Sequence, residues 1–232
     1  MKQTASEYYQ NALEKFRRGD LTGAIANLDR VIDLNPDSLA YYLERGDWKY
    51  RLDDLPSAIQ DFDRVISSSQ DKDDLREAHS KRAICLNELK GDSLELLPDL
   101  DWLIEHGFGT GNIYSWRGTV KLNWGQPEAA IADFTQAHRL EAIPMYLLKR
   151  AHAYYAAHQY DSAIQDLTRI IDSKHGWPST LISVVHYWRA KAYYKTGLDK
   201  EALDDLNQQL RLEGRGPVPT IEDYMALYGL DD

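Results

Sequence analysis

One stretch of this chain recurs, and the recurrence constrains the fold more than any other feature. GDLTGAIANLDRVI (19–32) returns as DDLPSAIQDFDRVI (53–66), GQPEAAIADFTQAH (125–138), HQYDSAIQDLTRII (158–171) and GLDKEALDDLNQQL (197–210), with a looser copy, DSLELLPDLDWLI (92–104). The large apolar residue after the Asp or Asn marks each copy: Leu28, Phe62, Leu100, Phe134, Leu167 and Leu206, at intervals of 34, 38, 34, 33 and 39 residues. Six copies of one unit follow. A second block precedes each marker: Asn11-Ala12, then Arg45-Gly46, Arg82-Ala83, Arg117-Gly118, Arg150-Ala151 and Arg189-Ala190. Apolar residues flank both blocks at helical spacing, and Gly19, Asp53-Asp54, Gly91, Gly125, His158 or Gly197 lies between them. Each unit therefore reads as two helices joined by a tight turn.

The small residues at 12, 46, 83, 118, 151 and 190, the alanines at 24, 58, 130, 163 and 202, the turn glycines, the apolar markers and Pro36 resemble the tetratricopeptide repeat family over roughly residues 5–212. A small side chain on each helix lets two antiparallel helices approach to about 8–10 Å. The resemblance implies an all-α fold, a right-handed α-solenoid of six antiparallel helix pairs plus a C-terminal capping helix. The chain is expected to be one solenoid domain, 1–232, with repeats at about 5–38, 39–73, 74–109, 110–143, 144–180 and 181–214 and a cap at 217–232. Two positions depart from the pattern. Leu96 replaces the alanine of the third unit, and Pro98 falls inside its second helix, which is expected to start late or kink there. The two longer intervals place extra residues near 67–74 and 172–182, read as extended connections.

Arg in the first helix and Asp in the second recur together as Arg45/Asp61, Arg82/Asp99, Arg117/Asp133, Arg150/Asp166 and Arg189/Asp205. In the first unit both change, to Asn11 and Asn27. Joint replacement indicates contact, an ion pair pinning the hairpin; a repeated carboxylate-binding site is the alternative.

No chemistry of catalysis is legible. His106–Gly111 is glycine-rich but follows a helix and lacks the Lys-Ser/Thr of a phosphate loop, so it reads as an inter-repeat turn. Asp71–Asp74 lacks calcium-loop spacing. His152 and His158 are about 600° of helical rotation apart and make a poor metal pair. Cys85, the one cysteine, sits among apolar neighbours as an inert thiol, and no disulfide follows. No catalytic residue, cofactor or metal is assigned, and the chain is expected not to be an enzyme.

The resemblance also implies that first helices line a concave face. By helical phase this face holds Tyr9, Leu13, Phe16 and Arg17; Leu43, Asp47, Tyr50 and Arg51; Ser80, Ile84 and Asn87; Ser115, Thr119 and Leu122; Leu148, His152 and Tyr155; and Tyr187, Lys191, Tyr194 and Lys195. Tyr and Arg combine buried area with polar tips and suit peptide recognition, although the same rings could pack as core. Arg189, Lys191 and Lys195 make the last first helix locally positive, open to an acidic segment. A family groove that grips acidic carboxy termini uses Asn and Lys/Arg in consecutive first helices; Leu43, Asp47, Leu148 and His152 stand in those places here, which disfavours that mode.

With 27 basic against 37 acidic residues the net charge is −10, which argues against nucleic acid and anionic membrane partners. No apolar run approaches the ~18 residues of a membrane span, and the amino terminus has no signal core. The chain is expected to be cytoplasmic, with a protein or peptide as partner. After Leu212 a breaker, Glu213–Pro217, precedes an amphipathic segment, Thr220–Tyr228, with Met225, Leu227, Tyr228 and Leu230 as its apolar stripe. It is expected to cap the last repeat; the alternative is docking in a groove of its own or another copy, giving a weak homo-oligomer and a structural scaffold.

Overall fold

The computed structural model describes residues 3–173 and 176–228. Leu230 of the terminal stripe lies outside them. The described residues are helical with no strand, and the chain divides into two compact units, Met1–Gly109 and Thr110–Asp232.

The first unit holds α1 (Ala5–Arg17), α2 (Leu21–Leu34), α3 (Leu39–Arg51), α4 (Leu55–Ser68), α5 (Lys72–Lys90) and α6 (Leu97–Glu105). Each packs on the next, and the first helices α3 and α5 also meet. The second unit holds α7 (Gly111–Asn123), α8 (Pro127–Leu140), α9 (Pro144–Ala156), α10 (Tyr160–Asp172), α11 (Ser179–Lys195), α12 (Asp199–Leu212) and α13 (Ile221–Tyr228). Successive helices pack in the same way, and α9 touches both α7 and α11. Helix starts are written into the sequence. Thr4 forms a reciprocal capping box with Glu7, and the side chains of Asp20, Asp54, Asp71 and Thr110 accept from backbone N–H groups of the following turn.

The turn inside each repeat demands a left-handed residue. Gly19, Gly125 and Gly197 supply it, while Asp53 (φ 64°) and His158 (φ 58°) adopt it with side chains attached. Pro98 acts as expected. A 3-10 turn, Leu94–Leu96, precedes α6, and the proline sits in the first turn, where its missing N–H costs no hydrogen bond. Leu96 is fully buried in the place of the usual alanine. The 67–74 stretch differs from expectation. Only 69–71 connect; Ser67 and Ser68 extend α4, and Lys72 begins α5, which reaches 19 residues against 13 in α1 or α3. The cause is local: the Asp71 carboxylate caps Asp73 and Asp74, whose charges favour a helix start. In the sixth repeat the inserted residues are shared between a connection and a 17-residue α11.

The seam between paired helices shows matched sizes. Where the second-helix marker is Phe62 or Phe134, the first-helix residue is Gly46 or Gly118; where the marker is Leu28, Leu100, Leu167 or Leu206, the partner position holds alanine. A Cβ on Gly46 would stand 2.7 Å from the Phe62 ring, and one on Gly118 2.9 Å from that of Phe134. All six markers are buried. Gly118→Ala is therefore expected to destabilise the protein by about 1–3 kcal/mol through overpacking, despite alanine's better helix propensity. Adding Phe134→Leu should recover part of the loss, as read by urea midpoints; strictly additive effects would show that the seam does not set the pairing.

Candidate functional site

All five Arg/Asp pairs form. Arg45 Nε and Nη2 donate to Asp61 at 2.9 and 2.5 Å, and Arg150 donates to Asp166 at 2.6 and 2.7 Å. Arg189 donates to Asp205 at 2.7 and 2.8 Å, while Arg82 and Arg117 hold Asp99 and Asp133 in the same way. The five aspartates are buried. The remaining guanidinium nitrogen reaches back to the preceding repeat at the residue after its marker: Arg45 to Asp29, Arg82 to Asp63, Arg150 to Thr135 and Arg189 to Thr168. Each of these four arginines is thus shared by two repeats. Lys49 and Lys121 add a second cation to Asp61 and Asp133. In the fifth and sixth repeats the equivalent position is tyrosine, and Arg150 and Arg189 stack over Tyr154 and Tyr193 instead. His79 and His186 bond Asp99 and Asp205 at 2.6 and 2.7 Å. Burial alone would push Asp205 up, but the bonds from Arg189 and His186 prevail and hold it below the usual carboxylate range. With their hydrogen bonds made within the helix pair and to the preceding repeat, these groups serve the stack and are engaged before any ligand arrives. In the first repeat, the Asn27 amide donates to Gly23 O at 2.7 Å.

On the first-helix face of the first unit, Phe16 stacks on Trp48 at 4.8 Å and Arg51 lies over the Phe16 ring. Tyr9 packs against Tyr41 and bonds Glu44, which burial pushes up despite that bond. A cavity of about 510 Å³ here is lined by Phe16, Leu43, Trp48 and six charged side chains: Glu44, Asp47, Arg51, Asp74, Glu77 and Lys81. Both of its cations are held within the site: Lys81 holds Asp47 at 2.5 Å and Glu77 at 3.2 Å, and Arg51 holds Asp47 at 3.0 Å, while Asp74 accepts from the Ser69 hydroxyl at 3.2 Å. Tyr50 donates to Glu88 at 2.8 Å. Leu43 is 7% exposed and belongs to the hydrophobic core beside Phe62, not to a free groove. Arg17 is exposed, whereas Leu13, Ser80, Ile84 and Asn87 are half-buried. Cys85 is buried, and its thiol is pushed up to about 11, chiefly by burial, as expected of an inert cysteine.

The second unit differs. Ser115 is buried and Leu148 is 4% exposed, so neither is available to a partner. Thr119 accepts from Lys149 at 3.1 Å, and Leu122 packs beside Phe134. His152 is half-buried, packed against Trp188 with ring centres 4.1 Å apart and planes tilted by 43°, and no hydrogen-bond partner among the described residues reaches its Nε2. Burial, with Lys191 and Lys149 adding repulsion, lowers its pKa to about 4. It serves as packing and not as a surface contact.

Beyond it lies a cavity of about 540 Å³, lined by Tyr155, Tyr187, Ala190, Lys191, Tyr194, Lys195, Ala202, Leu206, Ile221, Tyr224 and Met225. Five residues expected on the groove, Tyr155, Tyr187, Lys191, Tyr194 and Lys195, come together here. The Lys191 ammonium sits 5.4, 5.6 and 4.8 Å from the ring centres of Tyr155, Tyr187 and Trp188. No carboxylate of the described residues lies within ion-pair distance of Lys191 or Lys195. Tyr194 is 48% exposed.

The opposite wall is α13, which is not part of any repeat. Thr220 caps it, accepting from Asp223 N–H at 3.1 Å. Asn207 of α12 holds Val218 through both its backbone groups, and buried Tyr224 donates to Gln209 at 2.6 Å. Tyr228 bonds Glu213 under the Arg215 guanidinium. This helix therefore covers the end of its own sixth repeat, and in doing so walls the cavity. Reading the helix phase alone missed Trp188. The signal was present, since Tyr187 and Trp188 stand four and three residues before Lys191, the spacing at which helix side chains meet.

A tetratricopeptide-repeat model matches residues 9–73 and 148–217, more than half of the chain. The protein belongs to the tetratricopeptide repeat family. Its fold is that of YrrB, described as a TPR protein with an unusual peptide-binding site (TM-score 0.69, 14% identity, covering 87% of this chain and 96% of that one). A tetratricopeptide repeat protein from Parabacteroides merdae (0.63, 17%, 97% and 87%) and MamA 41-end from Desulfovibrio magneticus RS-1 (0.59, 18%, 74% and 96%) are similar too. No curated protein matches the sequence. Among the described residues no cluster of His, Cys, Asp and Glu could hold a metal ion, and no helix is long and apolar enough to cross a membrane.

Proposed function

We propose that the protein is a non-catalytic interaction module that binds a peptide or a segment of a partner protein on its first-helix face, with the cavity between α11 and α13 as the principal site. One observation carries this reading. The cavity is open, mostly apolar and aromatic, and among the described residues its only charged lining groups are two lysines without carboxylate partners. Such a surface has unspent apolar area and unspent charge, the two ingredients of a binding hot spot. The contrast with the first unit supports it, because there both lining cations, Arg51 and Lys81, are held by carboxylates of the same cavity. The peptide-binding site in the name of YrrB is consistent with the same use of this fold.

The test is selection from a displayed random peptide library. Wild-type protein should enrich a family of related peptides, and Tyr194→Ala/Met225→Ala, which trims two lining side chains, should retain them about ten-fold less well, a loss of about 1.4 kcal/mol. Enrichment of no peptide, or equal retention by the variant, would remove the cavity from consideration.

A further inference from the structure

The cavity's chemistry also specifies what it takes. We infer that it binds an acidic linear segment of a partner protein, with an apolar side chain seated against Leu206, Ile221 and Met225 and adjacent carboxylates on Lys191 and Lys195; this rests on the interaction-module reading above.

Three observations lead there. The first is the pairing of lysines on equivalent helices. Lys49, Lys81 and Lys121 are each held by an aspartate at 2.5–2.8 Å. Lys191 is held only by rings. Three aromatic faces fix its position while leaving its hydrogen bonds unmade, so the ammonium is oriented but not neutralised. The second is location. In a chain of net charge −10, a mostly apolar cavity whose only charged lining groups among the described residues are cationic attracts carboxylates and repels basic segments. Lysines at 191 and 195 are one helical turn apart, which suits two neighbouring acidic side chains. The lining holds no arginine, the side chain whose planar fork favours phosphate. The third is the wall. Ile221 and Met225 come from α13, and with Leu206 they give the apolar floor that a segment of acidic residues alone would not fill. The apolar side chain supplies affinity, and the carboxylates supply choice of partner.

The experiment uses the full chain and peptide libraries that differ at two fixed adjacent positions, Asp-Asp, Asn-Asn, Lys-Lys or phosphoserine-Ser, with the flanking positions random. The Asp-Asp library should be retained best, with Leu, Ile, Met or Phe enriched beside the fixed pair. Retention should fall at least about ten-fold in Lys191→Glu/Lys195→Glu and weaken with added salt, with unchanged circular dichroism showing that the variant is folded. Lys191→Arg/Lys195→Arg should keep most of the binding. Equal or better retention of the Asn-Asn or Lys-Lys library would overturn the acidic assignment while leaving peptide binding intact, and stronger retention of phosphoserine would overturn the choice of carboxylate. Retention of none of the libraries would end both readings.

Discussion

Arg150→Ala is expected to cost about 3–5 kcal/mol of stability, because it strands the buried Asp166 carboxylate. Arg150 is only 8% exposed, and its guanidinium makes two bonds to Asp166, a third to Thr135 and a stacking contact with Tyr154. Hydrogen bonding to Asp166 raises the Arg150 pKa over the opposing cost of burial. The other nearby cation, Arg169, is exposed and stands 3.8 Å away, too far to replace it. The double variant Arg150→Ala/Asp166→Ala should be more stable than the sum of the two single losses, since the orphaned charge leaves with its partner. Urea unfolding followed by circular dichroism checks this, and strict additivity would contradict the contact. Arg45→Ala should be milder. Lys49 stays 2.8 Å from Asp61 and continues to neutralise it.

The second large effect is a loss of stability in weak acid that traces to His152. Its pKa lies at about 4, against 6.5 when exposed, because burial disfavours the charged ring and Lys191 and Lys149 repel it. The folded-state pKa is depressed, so between these values the unfolded chain binds more protons than the folded one. The stabilisation is complete above pH 6.5 and disappears as pH falls toward 4. The full shift corresponds to about 3 kcal/mol, most of it lost by pH 4.5. His138, whose pKa is lowered mainly by burial and then by Arg150, acts in the same direction. His152→Phe keeps a ring against Trp188 and removes the proton. Its stability curve should meet that of the wild type near neutrality and lie above it by about 2 kcal/mol near pH 4.5. Parallel curves between pH 7 and 4.5 would show that His152 does not carry the dependence.

Much of the architecture was legible because its determinants are local and repeated. The marker residues, the small partners at the seam and the Arg/Asp pairs each recur at fixed offsets, so each copy tested the others. Pro98 was legible for the same reason, being out of place in a known frame. The candidate site was less so. Helix phase placed Tyr155, Tyr187, Lys191, Tyr194 and Lys195 on one face, and they do line one cavity. It also placed Leu43, Ser115, Leu148 and His152 there; the first three are buried, and His152 packs on Trp188. Phase gives the direction of a side chain, whereas exposure depends on what packs beside it. The far wall was not readable at all, because α13 follows a break in the periodicity and its seat depends on Asn207 and Gln209, two amides on the second helix of the sixth repeat.

The sharing of one guanidinium between neighbouring repeats has a bearing on how the protein comes apart. Detaching a hairpin severs a polar tether to its predecessor as well as an oily seam, so an opened module raises the cost of keeping the adjoining one shut. Within each unit, melting should run as a zipper, with neighbours released in quick succession. The first repeat, which carries asparagines in place of the ionic clasp, is the natural place for that zipper to start.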